Sequence, residues 1–421
     1  MEPRGIGIIG GGVVGAGVAQ LLAERAEAIT RAGGPFQLLG VAVRDASKPR
    51  DFPRELLTTP EKLLADPRLS ILVELAGGVA EPFEWVSAAL RSGKAVVTAN
   101  KALLAERAEA LHALAQAHPG KLFFEAAVAG GIPIVQALDR GLAANRVLRI
   151  EGILNGTCNY LLTRMEREKC SFETALQGAQ EAGFAEADPT LDISGGDTAH
   201  KLAVLASLAL ERPVGSAQIF TEGISRLTAF DLQWAEQNGY RIKMLGIGRF
   251  SEAGVELRVH PTLVSRTRLI SQVMEEFNAV AVTGDLTGPQ LYQGRGAGRM
   301  PTASAVVSDI VQALRGERMV LARPAFASAP PLLDMGQVVS RHYVHLEVID
   351  QPGVVARIAS ALAAERISIA SMFQPEVAHG SQVPLVFTTH PAPDAQVERA
   401  LAEVRRHSFL VGEPVRVRFE P

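Results

Sequence analysis

Cysteine is nearly absent: Cys158 and Cys170 are the only two in 421 residues, and they form no C-x-x-C pair. That excludes a disulfide framework and points to a reduced compartment, each thiol reading as a buried or idle group. Charge of one sign is equally scarce. Lys and Arg number 42 against 45 acids, a formal net charge of −3, which gives no electrostatic reason to expect nucleic acid or a membrane surface as partner. Long hydrophobic runs are missing too. The longest, "LAVLASLAL", falls far short of a membrane span, and the N-terminal "GIGIIGGG" has neither the basic region nor the cleavage site of a secretory leader. A cytoplasmic protein is expected. What remains is a soluble globular composition, 47% hydrophobic and 21% charged, in a chain long enough for two or three domains.

The punctuation of the chain falls in blocks. In residues 1–130, short β-rich runs ("GIGIIG", "QLLGVAV", "ILVELAG", "AVVTAN", "LFFEAAV") alternate with Ala/Leu/Glu-rich helical stretches, which predicts a doubly wound α/β domain with a parallel sheet. Residues 131–320 are more mixed. Helices such as "TAHKLAVLASLALE" precede strands with a polar alternate face, "VELRVHPTLV" and "AVAVTGDL", an α+β pattern. Residues 321–340 are rich in Pro and Ala without a clear period and read as a linker. In 341–421, "HYVHLEVID", "GVVARIASALAAER", "ISIASMFQ", "QVPLVFTTH", "DAQVERALAEVRR" and "PVRVRFE" spell βαββαβ.

The first chemical motif is Gly10-Gly11-Gly12-Val13-Val14-Gly15, a GxGxxG that follows a strand and opens a helix. Glycines serve there because the turn is tight and the backbone must approach a pyrophosphate lying at the helix N-terminus. That order of elements weighs against an ordinary glycine turn. The second strand ends in "VAVRDASKPR", where an NAD-selective site would place an acid against the ribose. Arg44 comes first, with Asp45 behind it and Lys48 and Arg50 nearby. Arginine there favours NADP, Asp45 keeps NAD open, and a solvated basic loop is the plain alternative.

In "GFAEADPTLDISGGDTAHK", residues 183–201, Glu186, Asp188, Asp192 and Asp197 precede Lys201. Asp197 and Lys201 are four apart and share a helix face. An isolated pair of this kind is usually a surface ion pair of little consequence. Here the helix beyond Lys201 is almost wholly apolar, so the lysine is expected to be buried among carboxylates. That suits proton donation to a carbonyl while acids grip an ammonium group.

With "NGTCNYLLTRM", "EAGFAEADPTLDISGGDTAHKLAVLASLA", "GRGAGRMPTASAVVSDI", "VVTANKALLA" and "FFEAAVAGGIPIV" in place, the sequence resembles homoserine dehydrogenase over essentially its whole length. The βαββαβ tail, with "DQPGVVARIASALAAERISIASM", resembles an ACT domain, a ferredoxin-like amino-acid-sensing module. The resemblance implies a Rossmann-type domain, a substrate and dimerisation domain whose residues 300–320 return to the nucleotide domain, and the ACT domain. It implies NAD(P)-dependent interconversion of L-aspartate 4-semialdehyde and L-homoserine. Lys101 and Lys201 would be catalytic, Lys201 donating the proton, with Asp197 positioning substrate and tuning Lys201. Glu186 and Asp192 would hold the substrate ammonium, with Lys101 and Thr157 also at the substrate. Asp188 is expected only to cap the "ADP" turn.

Further roles follow from the same resemblance. Gly10, Gly12, Val13, Val14, Gly15, Arg44, Lys48, Lys101, Gly298 and Ser304 would meet the cofactor. Glu125 and the carbonyls of Val128, Gly130 and Ile132 would hold a structural monovalent cation such as sodium. Asp350 and Gly353 would receive L-threonine as a feedback effector at a helix N-terminus. A homodimer or homotetramer is expected. Cys158 stands where a hydroxyl residue is usual, and Arg295 where proline is usual. Because the chain begins at the dinucleotide strand, fusion to an aspartate kinase is not expected. Another amino-acid-linked Rossmann dehydrogenase should lack the combined "NGTxN" and "ExDPxxDxxGxDxxxK" segments. A non-catalytic ACT sensor would have no use for Lys101 and Lys201.

Overall fold

The computed structural model describes residues 2–118, 121–317, 330–375 and 382–420. They gather into two compact units. The first takes the described residues of Met1–Gly156, Gly196–Ile219 and Glu276–Ala329, and the second those of Thr157–Gly195, Phe220–Glu275 and Pro330–Pro421.

In the first unit β1 (Arg4–Ile9), β2 (Phe36–Ala42), β3 (Leu57–Thr58), β4 (Leu69–Glu74), β5 (Ala95–Thr98) and β6 (Lys121–Phe123) form a sheet of order β3-β2-β1-β4-β5-β6. Every pairing is parallel. Helices on its faces explain why these strands are apolar almost throughout rather than alternating. Ile6, Ile8, Val41, Ile71, Val73 and Val97 share one core with Val18 and Leu22 of the helix Val13–Glu24. The helix Arg299–Leu314 adds Ala303, Val306 and Ile310 to that core; residues 318–320 lie outside the described residues. The strand order reverses between β1 and β4, and the crevice at their carboxyl ends is where such sheets take ligands. Strands β7 (Val147–Ile153), β11 (Phe277–Gly284) and β12 (Gly288–Arg295) of the same unit pair antiparallel, with β11 in the middle.

In the second unit β9 (Tyr240–Ser251) and β10 (Gly254–Ser265) make a hairpin, and β8 (Phe220–Thr221) runs beside β10. The expected βαββαβ follows: β14 (His342–Ile349), a helix Val354–Ala364, β15 (Ile369–Phe373), β16 (Gln382–Thr389), a helix Asp394–Val404 and β18 (Leu410–Glu420). Its antiparallel sheet has the order β18-β14-β16-β15. Val344, Leu346 and Phe387 bury against Ile358 and Leu401 of the two helices.

This module is not a freely hanging tail. β18 also pairs in parallel with β10, Thr262 opposite Arg418. Ion pairs centred on buried Glu420 and Arg418 reinforce that seam. Glu420 accepts from Arg249 at 2.5 Å and from Arg258 at 3.0 Å, while Arg418 donates to Asp394 at 2.6 Å and to Glu222 at 2.8 Å. Of the expected linker, residues 321–329 lie outside the described residues. Residues 330–340 are tied down: Val255 N donates to the Pro331 carbonyl at 2.9 Å and the Val255 carbonyl accepts from Leu333 N at 2.8 Å, and β13 (Val339–Ser340) pairs with β17 (Ala392–Pro393). Two contacts this short leave no periodicity to read.

Candidate active site

The glycine motif folds as β1, turn and helix because two of its positions admit nothing larger. A Cβ on Gly15 would sit 1.9 Å from the Gly10 oxygen, and one on Gly10, at φ 109°, would sit 2.4 Å from the Leu75 carbonyl carbon. Gly12, just before the helix Val13–Glu24, has open space where a side chain would be. This glycine turn borders a cavity of about 520 Å³ lined by Gly10, Gly12, Arg44, Arg50, Glu61 and Trp85. Arg44 is exposed, 3.7 Å from Glu81. Lys48 is also exposed and borders a smaller neighbouring cavity. Arg50 is the residue bound to the glycine loop: it donates to the Gly11 carbonyl at 3.0 Å and the Asp45 carbonyl at 3.2 Å. The Asp45 carboxylate is engaged by its own turn, accepting from Ser47 N at 2.9 Å and Oγ at 2.6 Å.

Beyond Leu75, which borders both, lies a second cavity of about 420 Å³. Val14, Gly77, Asn100, Lys101, Gly130, Lys201, Gly296 and Thr302 line it. Lys101 opens the helix Lys101–Glu106 directly after β5, and Lys201 lies one turn into the helix Gly196–Leu210. Asp197 joins them. Its Oδ1 is 2.7 Å from Lys101 Nζ, and its Oδ2 is 2.8 Å from Lys201 Nζ. Lys201 also donates to the Leu154 carbonyl at 2.5 Å. Burial alone would push the Asp197 carboxyl up, but Lys201 and Lys101 overcome it and hold the group well below the usual carboxylate range. The expected buried lysine is real, at 9% exposure. An ammonium fixed by two acceptors, with its head at a cavity wall, is arranged to give a proton to an oxyanion forming there.

Two supports of this arrangement escaped the sequence reading. Asn155 donates to Asp197 Oδ2 at 2.8 Å; its signal in the sequence is the Asn-Gly of "NGT" just after a strand. Glu74 is fully buried, the lone charge at the carboxyl end of an apolar parallel strand. It accepts from Ala76 N at 2.9 Å and from the Thr98 hydroxyl at 2.7 Å, and Thr98 Oγ1 accepts from Asn100 N at 3.0 Å. Asn100 in turn caps the Lys101 helix through Leu103 N and donates to the Gly78 carbonyl. Glu74 thereby locks the loops after β4 and β5, both of which line the cavity.

Glu125 is buried, and its two carboxylate oxygens accept from Val135 N and Gln136 N, each at 2.8 Å. Its own N–H donates to Asp309, which is also buried. Burial pushes the Glu125 carboxyl up to about 7, against the pull of the Gln136 and Val135 amides. Ala129 and Gly130, both at positive φ, turn the backbone between Val128 and Ile132. Gly298 precedes the helix Arg299–Leu314 without bordering the 420 Å³ cavity, Thr302 lines the cavity, and Ser304 is exposed. The Arg295 carbonyl receives Gly131 N.

The remaining expected residues lie in the second unit. Thr157 donates to the Phe184 carbonyl at 2.9 Å, and buried Cys158 donates to the Asp192 carbonyl at 3.2 Å. Glu186 is exposed and Asp192 half-buried. Asp188 accepts from Thr190 N at 3.1 Å, a local turn. Asp350 accepts from Gln374, and Gly353, at φ 92°, precedes the helix Val354–Ala364.

Comparison with known proteins agrees along the whole chain. Residues 10–125 match the family model for the homoserine dehydrogenase NAD-binding domain, residues 133–311 the homoserine dehydrogenase model, and residues 342–406 the ACT domain model. A homoserine dehydrogenase from Pseudomonas aeruginosa is 41% identical, covering 100% of this chain and 99% of its own. One from Neisseria gonorrhoeae is 40% identical over 96% of this chain and 95% of its own. The crystal structure of a homoserine dehydrogenase from Thiobacillus denitrificans superposes with a TM-score of 0.93 at 43% identity, covering 100% and 99% of the two chains. A hyperthermophilic archaeal homoserine dehydrogenase in complex with NADPH superposes at 0.61 and 26% identity over 74% of this chain and 98% of its own.

Proposed function

The chain belongs to the homoserine dehydrogenase family, and from that premise we propose how its residues divide the work of interconverting L-aspartate 4-semialdehyde and L-homoserine. The observation that carries the assignment is the Lys101–Asp197–Lys201 bridge beside a 420 Å³ cavity at the carboxyl ends of parallel strands. When bound, the nicotinamide cofactor supplies or accepts the hydride at the carbonyl carbon. Lys201 delivers a proton from Nζ to the aldehyde oxygen as negative charge builds there. Asp197, with Asn155 behind it, orients both lysines, and Lys101 neutralises charge at substrate and cofactor. Glu186, Asp192 and Thr157 receive the amino-acid end of the substrate.

The glycine cradle fits a dinucleotide, with the phosphates at Gly12 to Val14. Arg44, beside the 520 Å³ cavity, favours NADPH with Lys48 nearby, and Thr302, in place of the expected Ser304, faces the 420 Å³ cavity. Two buried carboxylates, Glu125 and Asp309, suit a monovalent cation held by Glu125 and the carbonyls of Val128, Gly130 and Ile132. L-threonine is the effector, at Asp350 and Gly353 of the ACT domain. A homodimer or homotetramer is favoured by β15, an edge strand where Met372 and Phe373 are exposed. A cytoplasmic location accords with two free cysteines, and no helix among the described residues is long and apolar enough to cross a membrane.

The test is Lys201→Ala, assayed by loss of NADPH absorbance on adding aspartate semialdehyde. A fall in kcat of about 100-fold or more, with NADPH affinity retained, is expected for a lost general acid. Turnover within a factor of a few of wild type would reduce Lys201 to a structural ion-pair residue.

A further inference from the structure

Asn278, near the start of β11, is 1% exposed, and neither its amide oxygen nor its amide nitrogen makes a hydrogen bond. Buried polar groups nearly always have partners, so a bare carboxamide needs a reason. Its surroundings supply one. A Cβ on Gly296 would fall 2.0 Å from Asn278 Cγ, 2.2 Å from Nδ2 and 2.3 Å from Oδ1. The carboxamide therefore lies against the Gly296 backbone, at a spot where only glycine leaves room. Gly296 lines the 420 Å³ cavity, and its carbonyl oxygen is 2.4 Å from where a Cβ on Gly130 would be. A Cβ on Gly156, next in the chain to Asn155, would lie 3.6 Å from Asn278 Oδ1. One side chain thus stands where the loops of Gly130, Asn155 and Gly296 converge, and Gly296 separates it from the cavity.

We propose that Asn278 is a positioning residue for cofactor binding: when a nicotinamide dinucleotide fills the cavity, the Gly296–Ala297 peptide turns onto the Asn278 carboxamide, so that loop docking and binding become one step. The carboxamide is a liability in the free protein and receives its hydrogen bonds only in the complex. Local stability is sacrificed at a site where ligand response needs it.

This inference rests on assigning the cavity to the cofactor, and its test separates the two. Asn278→Leu replaces the amide by an apolar group with the same number of heavy atoms, and Asn278→Ala removes it without crowding Gly296. Free protein should melt at or above the wild-type temperature for Leu, since removing an unpaired buried polar group is neutral or stabilising. The NADPH Kd, read by fluorescence titration, should rise about 10-fold in both variants, the size of one or two hydrogen bonds. The rise in Tm at saturating NADPH should shrink accordingly. Tight wild-type binding that both variants leave within 2-fold would overturn this inference alone. So would weaker binding that appears only alongside a matching loss of Tm in the free variants, the mark of ordinary packing. Wild-type protein that binds no NADPH would overturn the cofactor assignment as well.

Discussion

Asp197→Asn exchanges one oxygen for an amide nitrogen at nearly constant shape, and the geometry dictates the outcome. Oδ2 faces two donors, Lys201 and Asn155, while Oδ1 faces Lys101 alone. An asparagine has one acceptor to offer, so its oxygen should turn toward Lys201 and Asn155 and its NH₂ toward Lys101. Lys101 then loses its partner, and Lys201 keeps a neutral hydrogen bond in place of a charged one. Both charge-assisted contacts weaken, and roughly 3 kcal/mol of lost orientation in the transition state is about 100-fold in kcat. Stopped-flow absorbance gives the rate, fluorescence the NADPH Kd, and thermal unfolding the stability. The Kd should be unchanged. The acid limb has a definite sign. The folded carboxyl is held below its ordinary value of 3.8, so its stabilisation is present above that pH and is lost as pH falls toward the folded pKa. The Tm difference between wild type and Asp197→Asn should stay level from neutral pH down to about 5 and narrow only below about 4. A variant within 3-fold of wild type in kcat/KM, or one whose NADPH affinity falls in step with kcat, would refute the bridging role.

Arg44→Ala should weaken NADPH by about 10- to 100-fold while sparing NADH, as expected for one charge-assisted contact to a 2′-phosphate; equal losses would show that the guanidinium reads no phosphate. Its exposed pair with Glu81 implies no loss of Tm. Asp350→Ala should abolish inhibition by L-threonine and its calorimetric binding signal while uninhibited turnover persists; inhibition that survives intact would remove Asp350 from the effector site. Deleting the ACT domain is a poorer experiment, because it would strip Glu420 from half-buried Arg249 and buried Arg258.

The parallel sheet was legible because strands covered on both faces leave unbroken apolar runs, and β1 with its glycines left a turn that few other residues could make. Lys101 and Lys201 were legible through motifs, and burial of Lys201 through the apolar helix that follows it. What stayed hidden depends on direction in space. Lys48 and Arg50 are two residues apart in one basic loop, and nothing local says that Arg50 reaches Gly11. Thr302 and Ser304 differ by about 200° around a helix, so only one meets the cavity. Asn155, Glu74 and Asn278 act through partners at least 18 residues away, as the 24-residue separation of Glu74 and Thr98 illustrates. The contacts of residues 330–340 are two short backbone pairings with no compositional signature.

The seam between β10 and β18 also bears on how the protein is made. Arg258 and Glu420 are 162 residues apart, and a ribosome adding ~5–20 residues per second needs on the order of ten seconds to cover that span. Throughout that interval β10 has emerged with part of one edge unpaired, and Arg258 and Arg249 have no Glu420 to meet. An unpaired strand edge is the usual template for aggregation. The nascent chain is therefore most vulnerable after β10 has been synthesised and before its ACT domain is finished. Slow codons placed within residues 266–409 would lengthen that exposure, so soluble yield should respond more sharply to translation speed there than within the first hundred residues.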